Sequence, residues 1–130
     1  MSRIVEEYNG MKPTIDHTSF GSITIEGEKY EHDVLIRCSG DIKKRKKKLS
    51  KQVYGTSHMV SKEEAEHVFE DGLEILVVGT GQNGALQLSQ EAEKFFRENG
   101  VTVILQRTPQ AIEAFNKRKG NVAGLFHLTC

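Results

Sequence analysis

Between Ser61 and Leu128 the chain alternates helix signals with short apolar runs, and this alternation constrains the fold more than any other feature. Ser61-Lys62-Glu63-Glu64 is a capping box, whose hydroxyl and carboxylate satisfy the otherwise orphaned first amides of a helix. Ala65, Val68 and Phe69 form the buried face of that helix, and Gly72 ends it. Glu74 to Val78 is an apolar run of the kind buried on both faces of a parallel sheet, and Val101 to Leu105 repeats it. Between the two runs a second helix extends from about Ser89 to Asn99 and is closed by Gly100. Thr108-Pro109 supplies an N-cap and a proline at the first position of a third helix. That helix turns Ile112 and Phe115 inward and ends at Lys117-Arg118-Lys119-Gly120, with charges suited to the dipole. Val122 to Leu128 is a last strand. Each return to a parallel neighbour needs a helix's length of chain, so the pattern predicts an α/β fold with a mostly parallel sheet and helices packed on it.

Residues 20–37 alternate with a period of two, through Phe20, Ile23 and Ile25 and then Tyr30, Val34 and Ile36 across a Gly27-Glu28 turn. They predict an N-terminal β-hairpin that extends or flanks the sheet. With 130 residues and 37% hydrophobic content, the expectation is one core and a single domain over 1–130. The longest apolar runs fall far short of the roughly 20 residues that cross a bilayer. Met1-Ser2-Arg3-Ile4-Val5-Glu6-Glu7 lacks both a signal core and a presequence character, so the expected location is cytoplasmic. Cys38 and Cys130 lack the paired spacing of a zinc site and are expected to be free thiols; no metal and no cofactor is implied.

Charge is uneven although the formal net is zero. Lys43, Lys44, Arg45, Lys46, Lys47, Lys48 and Lys51 hold seven of the eighteen basic residues, and without 41–52 the chain keeps 11 basic against 17 acidic residues, a net of −6. The segment 39–53 fits a marginal helix or a mobile loop, since Ile42 and Leu49 are the only large apolar members of its basic stretch. An acidic protein partner, or self-association against the acidic body, would use these charges. Nucleic-acid binding through 43–51 is a weaker reading, because aromatics are not interleaved and no base-reading motif is present.

Gly79-Thr80-Gly81-Gln82-Asn83-Gly84 matches G-x-G-x-x-G directly after a strand, where amides can cradle a pyrophosphate. It fails two further tests: the helix begins only near Ser89, and the next strand ends at Gln106-Arg107 without an acid for a ribose. A tight turn with close backbone packing is the simpler reading. In Tyr54-Gly55-Thr56-Ser57-His58, a hydroxyl and an imidazole can serve acid-base work, or the loop can satisfy only backbone groups. His127 and Cys130 are three apart, which places them on opposite faces of a regular strand and argues for a packed, hydrogen-bonded His127. If the strands ending at Val78, Gln106 and Leu128 are parallel, their carboxyl ends share one edge, where open α/β sheets place ligands. There the glycine loop, Arg107, the Thr108 helix and the last residues to Cys130 would form an anion site, or one that holds the chain's own C-terminal carboxylate.

Tyr54-Gly55-Thr56-Ser57-His58, then Val78-Gly79-Thr80-Gly81 with Gly84-Ala85-Leu86, then Ala111-Ile112 with Phe115-Asn116, and finally Gly124-Leu125-Phe126-His127-Leu128-Thr129-Cys130 carry a family resemblance. Over about residues 18–130 the chain resembles a small α/β domain family of unassigned activity. Its members include archaeal hypothetical proteins, the eukaryotic adipogenesis-associated domain protein and mitochondrial respiratory complex I assembly factor 3. The chain is most similar to the archaeal members, which also carry a basic segment before Tyr54-Gly55-Thr56-Ser57-His58, and it has none of the tryptophans of some eukaryotic ones. The resemblance implies a three-layer α/β fold and no established enzyme activity.

The expected role is a noncatalytic protein-interaction or assembly-type module. The alternative is a small-molecule or anion binder, or an enzyme, at the carboxyl edge of the sheet. Its candidate residues are Thr56, His58, Gly79, Gly81, Gly84, Arg107, Thr108, His127 and Cys130.

Overall fold

The computed structural model describes residues 12–130. Met1–Glu7, read above for a targeting signal, lies outside the described residues. The chain begins with a meander of β1 (Ile15–Ser19), β2 (Ser22–Ile25) and β3 (Glu28–Tyr30), paired antiparallel in that order. The expected hairpin is β2-β3, with its turn at Glu26-Gly27, one residue before the Gly27-Glu28 expected. Ile25 pairs with Glu28 across Glu26-Gly27, both at positive φ of 46° and 82°, the conformation that a two-residue hairpin turn requires.

Two further parts of that expectation need correction. Phe20 is not on the core face: it sits in the turn between β1 and β2 and is 64% exposed. Val34 and Ile36 belong to a separate strand, β4 (Val34–Ile36), inside the main sheet. Reading only alternate residues passed over Leu35, which is buried like its neighbours. Three consecutive buried residues mark a strand covered on both faces rather than on one.

The main sheet has the order β5-β4-β10-β7-β9, where β5 is Ile42–Lys44, β7 is Ile75–Thr80, β9 is Thr102–Gln106 and β10 is Val122–His127. β7 pairs in parallel with β10 on one side and β9 on the other, and β4 and β5 extend the sheet beyond β10 by antiparallel pairing. β9, expected to be buried on both faces, is an edge strand with Leu105 43% exposed. Nothing in its sequence separates an edge from a centre.

One sheet face is covered by α2 (Lys62–Val68) and α3 (Gln90–Glu98), where Ala65, Val68, Ala92 and Phe96 meet Leu35, Leu76, Val78 and Leu125. The other is covered by α4 (Thr108–Lys117) and the meander, where Ile112, Phe115, Ile15 and Ile23 meet Val34, Ile36, Val77 and Phe126. The result is the three-layer α/β arrangement, with two cores separated by the sheet.

Segment 39–53 is neither loop nor marginal helix alone. It forms β5 and then α1 (Lys48–Tyr54), which Gly55 ends at a φ of 72°. Ser61 caps α2 as expected, accepting from the Glu64 amide. The reciprocal half of the box is absent: the Ser61 amide donates to Ser50 Oγ at 2.9 Å, and the Glu64 carboxylate turns inward. Helix α3 begins at Ser89 because residues after the glycine loop first form β8 (Gln87–Leu88), which pairs in parallel with β6 (Met59–Val60).

Gly124 lies in the middle of β10 with no room for a side chain, since a Cβ there would stand 2.5 Å from the Phe126 ring and 3.0 Å from that of Phe115. Those rings pack edge to face, their centroids 5.7 Å apart. Gly124→Ala is expected to lower unfolding free energy by about 1–3 kcal/mol, the usual cost of overpacking a core. Urea denaturation measures it, and an unchanged midpoint would contradict this packing.

Candidate functional site

The parallel pairing brings the carboxyl ends of β7, β9 and β10 to one rim. The glycine loop there is occupied by the chain itself. Gln82 donates its amide to the Thr129 carbonyl at 2.7 Å, and Asn83 and Ala85 donate theirs to the backbone oxygen of Cys130 at 2.9 and 3.1 Å. Gly81, at a φ of 103°, lies against this segment; a Cβ would overlap the Cys130 carbonyl carbon and stand 2.9 Å from the His127 ring. Gly79 is equally confined, 2.8 Å from Phe126 and 2.9 Å from Thr108 Oγ1 at its would-be Cβ. Gly84 turns the loop at a φ of 76° with the Arg107 stem 3.5 Å from its would-be Cβ. The glycines thus permit backbone to pack on backbone, and the loop's amides serve residues 129–130.

Thr108 does not cap α4. Arg107 holds the cap position without a side-chain bond, while the buried Thr108 hydroxyl accepts from the Gly81 amide at 2.9 Å and donates to the His127 carbonyl at 2.6 Å. Two strand ends offer it partners of opposite polarity, so tertiary bonding displaces the local cap. Thr56 remains local, its hydroxyl accepting from the His58 amide at 3.1 Å. The His58 carbonyl receives the Gln87 amide at 2.9 Å, and the His58 ring stands edge to face with that of His127, 5.3 Å between centroids.

His127 is the junction to groups that the sequence reading passed over. Its Nδ1 lies 2.7 Å from one oxygen of Asp33, in the turn between β3 and β4, and the Leu128 amide donates to the other at 2.9 Å. An ionised carboxylate only accepts, so Nδ1 carries the proton. Arg45, just after β5, donates to the same Asp33 oxygen at 3.0 Å and forks onto Glu64 of α2 at 2.7 and 3.0 Å. Ser50 of α1 also donates to Glu64. Arg45 and Glu64 are buried, at 4% and 1% exposure.

Burial pushes the Asp33 carboxyl up, but the His127 bond and charge, the Leu128 amide and Arg45 together hold it below its ordinary value. Burial likewise pushes Arg45 down, and the paired carboxylates of Glu64 and Asp33 more than reverse this. Cys38 and Cys130 are free thiols; burial, then the neighbouring Glu70 carboxylate, pushes Cys38 up to about 12.

Asp33 and His127 line a hollow of about 340 Å³, together with Lys44, Lys47, Ser57 and Thr129. Of the residues singled out from sequence, the fold gathers Gly79, Gly81, Thr108, His127 and Cys130 around the rim, with His58 against His127. Arg107 is exposed at the start of α4. Asp33, Arg45 and Glu64 belong to no motif that names them as a site. The one available signal was a lone arginine in a lysine run, because only its planar fork can hold a carboxylate with two bonds.

Residues 15–127 match the sequence profile of a family described as protein of unknown function, DUF498/DUF598. The conserved hypothetical protein PH1505 of Pyrococcus horikoshii is 34% identical over 90% of this chain and 99% of its own, with a TM-score of 0.84. The protein MT938 is 29% identical over 92% of this chain and all of its own (100%), at 0.79. A Bordetella pertussis protein described as a Mth938-like domain is 17% identical over 89% of this chain and 85% of its own at 0.57, and shares the fold.

The buried charges set two measurable outcomes. Arg45→Met leaves two carboxylates without their cation and is expected to cost about 3–5 kcal/mol in urea unfolding, whereas Lys46→Met on the exposed face costs under about 0.5 kcal/mol. Equal effects would show that Arg45 is merely another surface charge. Because the Asp33 carboxyl is depressed in the folded state, its stabilisation is present above the unfolded value, about pH 4, and is lost as pH falls through the folded one. Stability measured from neutral to strongly acidic pH should therefore fall less steeply below about pH 4 in Asp33→Asn than in the wild type.

Proposed function

The chain belongs to the family of proteins of unknown function DUF498/DUF598, and we propose that this protein is a noncatalytic interaction module that holds an acidic segment of a partner protein on the lysine face of β5 and α1. One observation carries the reading. Arg45 points inward to Glu64 and Asp33, while Lys43, Lys44, Lys46, Lys47, Lys48 and Lys51 stay at the surface, and no ion pair joins them to a carboxylate among the described residues. The buried arginine anchors β5 to α2, so the cationic face is held in one shape.

Lys47 and Lys48 open α1, where the positive end of the helix dipole disfavours cations, and no acid in its first turn offsets them. Such a local conflict is expected where a surface serves a partner. The stems of Lys44, Lys46, Lys47 and Lys48 border a shallow hollow of about 310 Å³, and Val53 and Tyr54 at the end of α1 are 51% and 39% exposed. This combination suits a segment that carries carboxylates beside apolar groups. An assembly-type role agrees with the resemblance to the respiratory complex I assembly factor.

The test is a titration of the isotopically labelled protein with a short glutamate-rich peptide carrying leucines. Saturable amide shifts confined to Lys43–Tyr54 are expected. The triple change Lys46→Glu, Lys48→Glu and Lys51→Glu should weaken binding by more than about tenfold, ~1.4 kcal/mol, without lowering the melting temperature. No saturable binding, or tighter binding of a single-stranded RNA of equal charge, would overturn the proposal.

A further inference from the structure

We propose that the hollow beside His127 is a binding site for a small molecule carrying an oxyanion, a carboxylate or a phosphate group. It shares Lys44 and Lys47 with the peptide-binding face but differs from it in ligand and in its other lining residues, among them Ser57, His127 and Thr129. At about 340 Å³ it lies near the lower end of small-ligand cavities, roughly 300–1,000 Å³.

The sign of the ligand follows from which polar groups are already committed. Both Asp33 oxygens receive internal donors, from His127, Arg45 and the Leu128 amide, so its negative charge is answered within the fold. The other polar residues that line it are Lys44, Lys47, His32, Ser57 and Thr129, with Glu31 as the opposing acid. Charged and hydroxyl donors converging on one cavity favour an oxyanion, which accepts from several at once.

A built element separates this hollow from lysines on an open surface. The His127 side chain is 4% exposed, and Asp33 fixes its ring through Nδ1. Nε2 is left with a single long contact, 3.4 Å from Thr129 Oγ1, which itself lines the hollow. With the proton on Nδ1, Nε2 offers a lone pair whose only partner is this weak one, so a ligand hydroxyl, such as that of hydrogen phosphate or citrate, would donate to it. Residues 129–130 are pinned to the glycine loop, which fixes Thr129. The same loop that is closed to a ligand thus shapes the wall of the neighbouring cavity.

The probes are inorganic phosphate and citrate, each titrated into the labelled protein against sodium chloride of matched ionic strength. Saturable shifts at Ser57, Thr129 and the His127 imidazole are expected with at least one probe, and the tighter one assigns phosphate or carboxylate chemistry. Lys44→Ala with Lys47→Ala should weaken binding by at least about tenfold. Lys46→Ala with Lys48→Ala, which leaves the hollow's lining intact, should change it by less than about twofold. Non-saturating shifts spread along the lysine face, or equal weakening by both variants, would overturn the site. Loss of the acidic peptide with retained phosphate or citrate binding separates failure of the interaction face from failure of this pocket.

Discussion

The contact on which the arrangement turns is the fork of Arg45 onto Glu64, with its third bond to Asp33. It closes four separate pieces of chain on one another: the entrance of β4, the exit of β5, helix α2 and, through His127 and Leu128, the end of β10. A buried guanidinium opposite two carboxylates is tolerable only if the remaining lone pairs are met. Ser50, His127 and the Leu128 amide meet them. This requirement dictates geometry, because apolar groups can slide past one another whereas a bidentate ion pair has one register. The antiparallel extension β4-β5 is thereby held to the parallel half of the sheet.

From that constraint the surface follows. With Arg45 drawn inward, the adjacent lysines are displayed on a strand and a helix whose positions are set from beneath. With Asp33 saturated, His127 is oriented and the cavity beside it is left rich in donors. The cationic face and the cavity therefore share one foundation. They share Lys44 and Lys47, but Lys46 and Lys48 belong to the face alone and Ser57, His127 and Thr129 to the cavity alone, which is why they can be separated by substitution.

The rim of the sheet illustrates a different use of polar groups. From sequence the glycines at 79, 81 and 84 fit a ligand cradle or, more simply, a tight turn with close backbone packing, and Thr108 looks like a helix cap. In the fold they bind other parts of the chain: Thr108 bridges the Gly81 amide and the His127 carbonyl, and the loop amides take Thr129 and Cys130. Satisfying backbone groups at the ends of parallel strands is obligatory wherever water is excluded. Chain and ligand compete for the same amides, and only coordinates reveal which holds them.

Helices α2, α3 and α4 and strands β7, β9 and β10 were legible because their signals are local: Ser61, Ser89 and Pro109 at helix starts, and apolar runs of strand length between them. The hairpin was legible for the same reason, although its turn falls at residues 26 and 27, one position before the Gly27-Glu28 expected. Leu35 was misread because two-sided burial has no period of its own, and β6-β8 was missed because a two-residue strand leaves no pattern. Asp33, Arg45, Glu64 and His127 are separated by up to 94 positions, the span of the Asp33–His127 bond. No spacing rule connects them. By itself the sequence determined the layered α/β class, the family resemblance and the existence of a cationic stretch. Tertiary structure alone decided which cation turned inward, which amides were taken and where a cavity remained, because partner choice among buried polar groups depends on proximity that only the completed sheet creates.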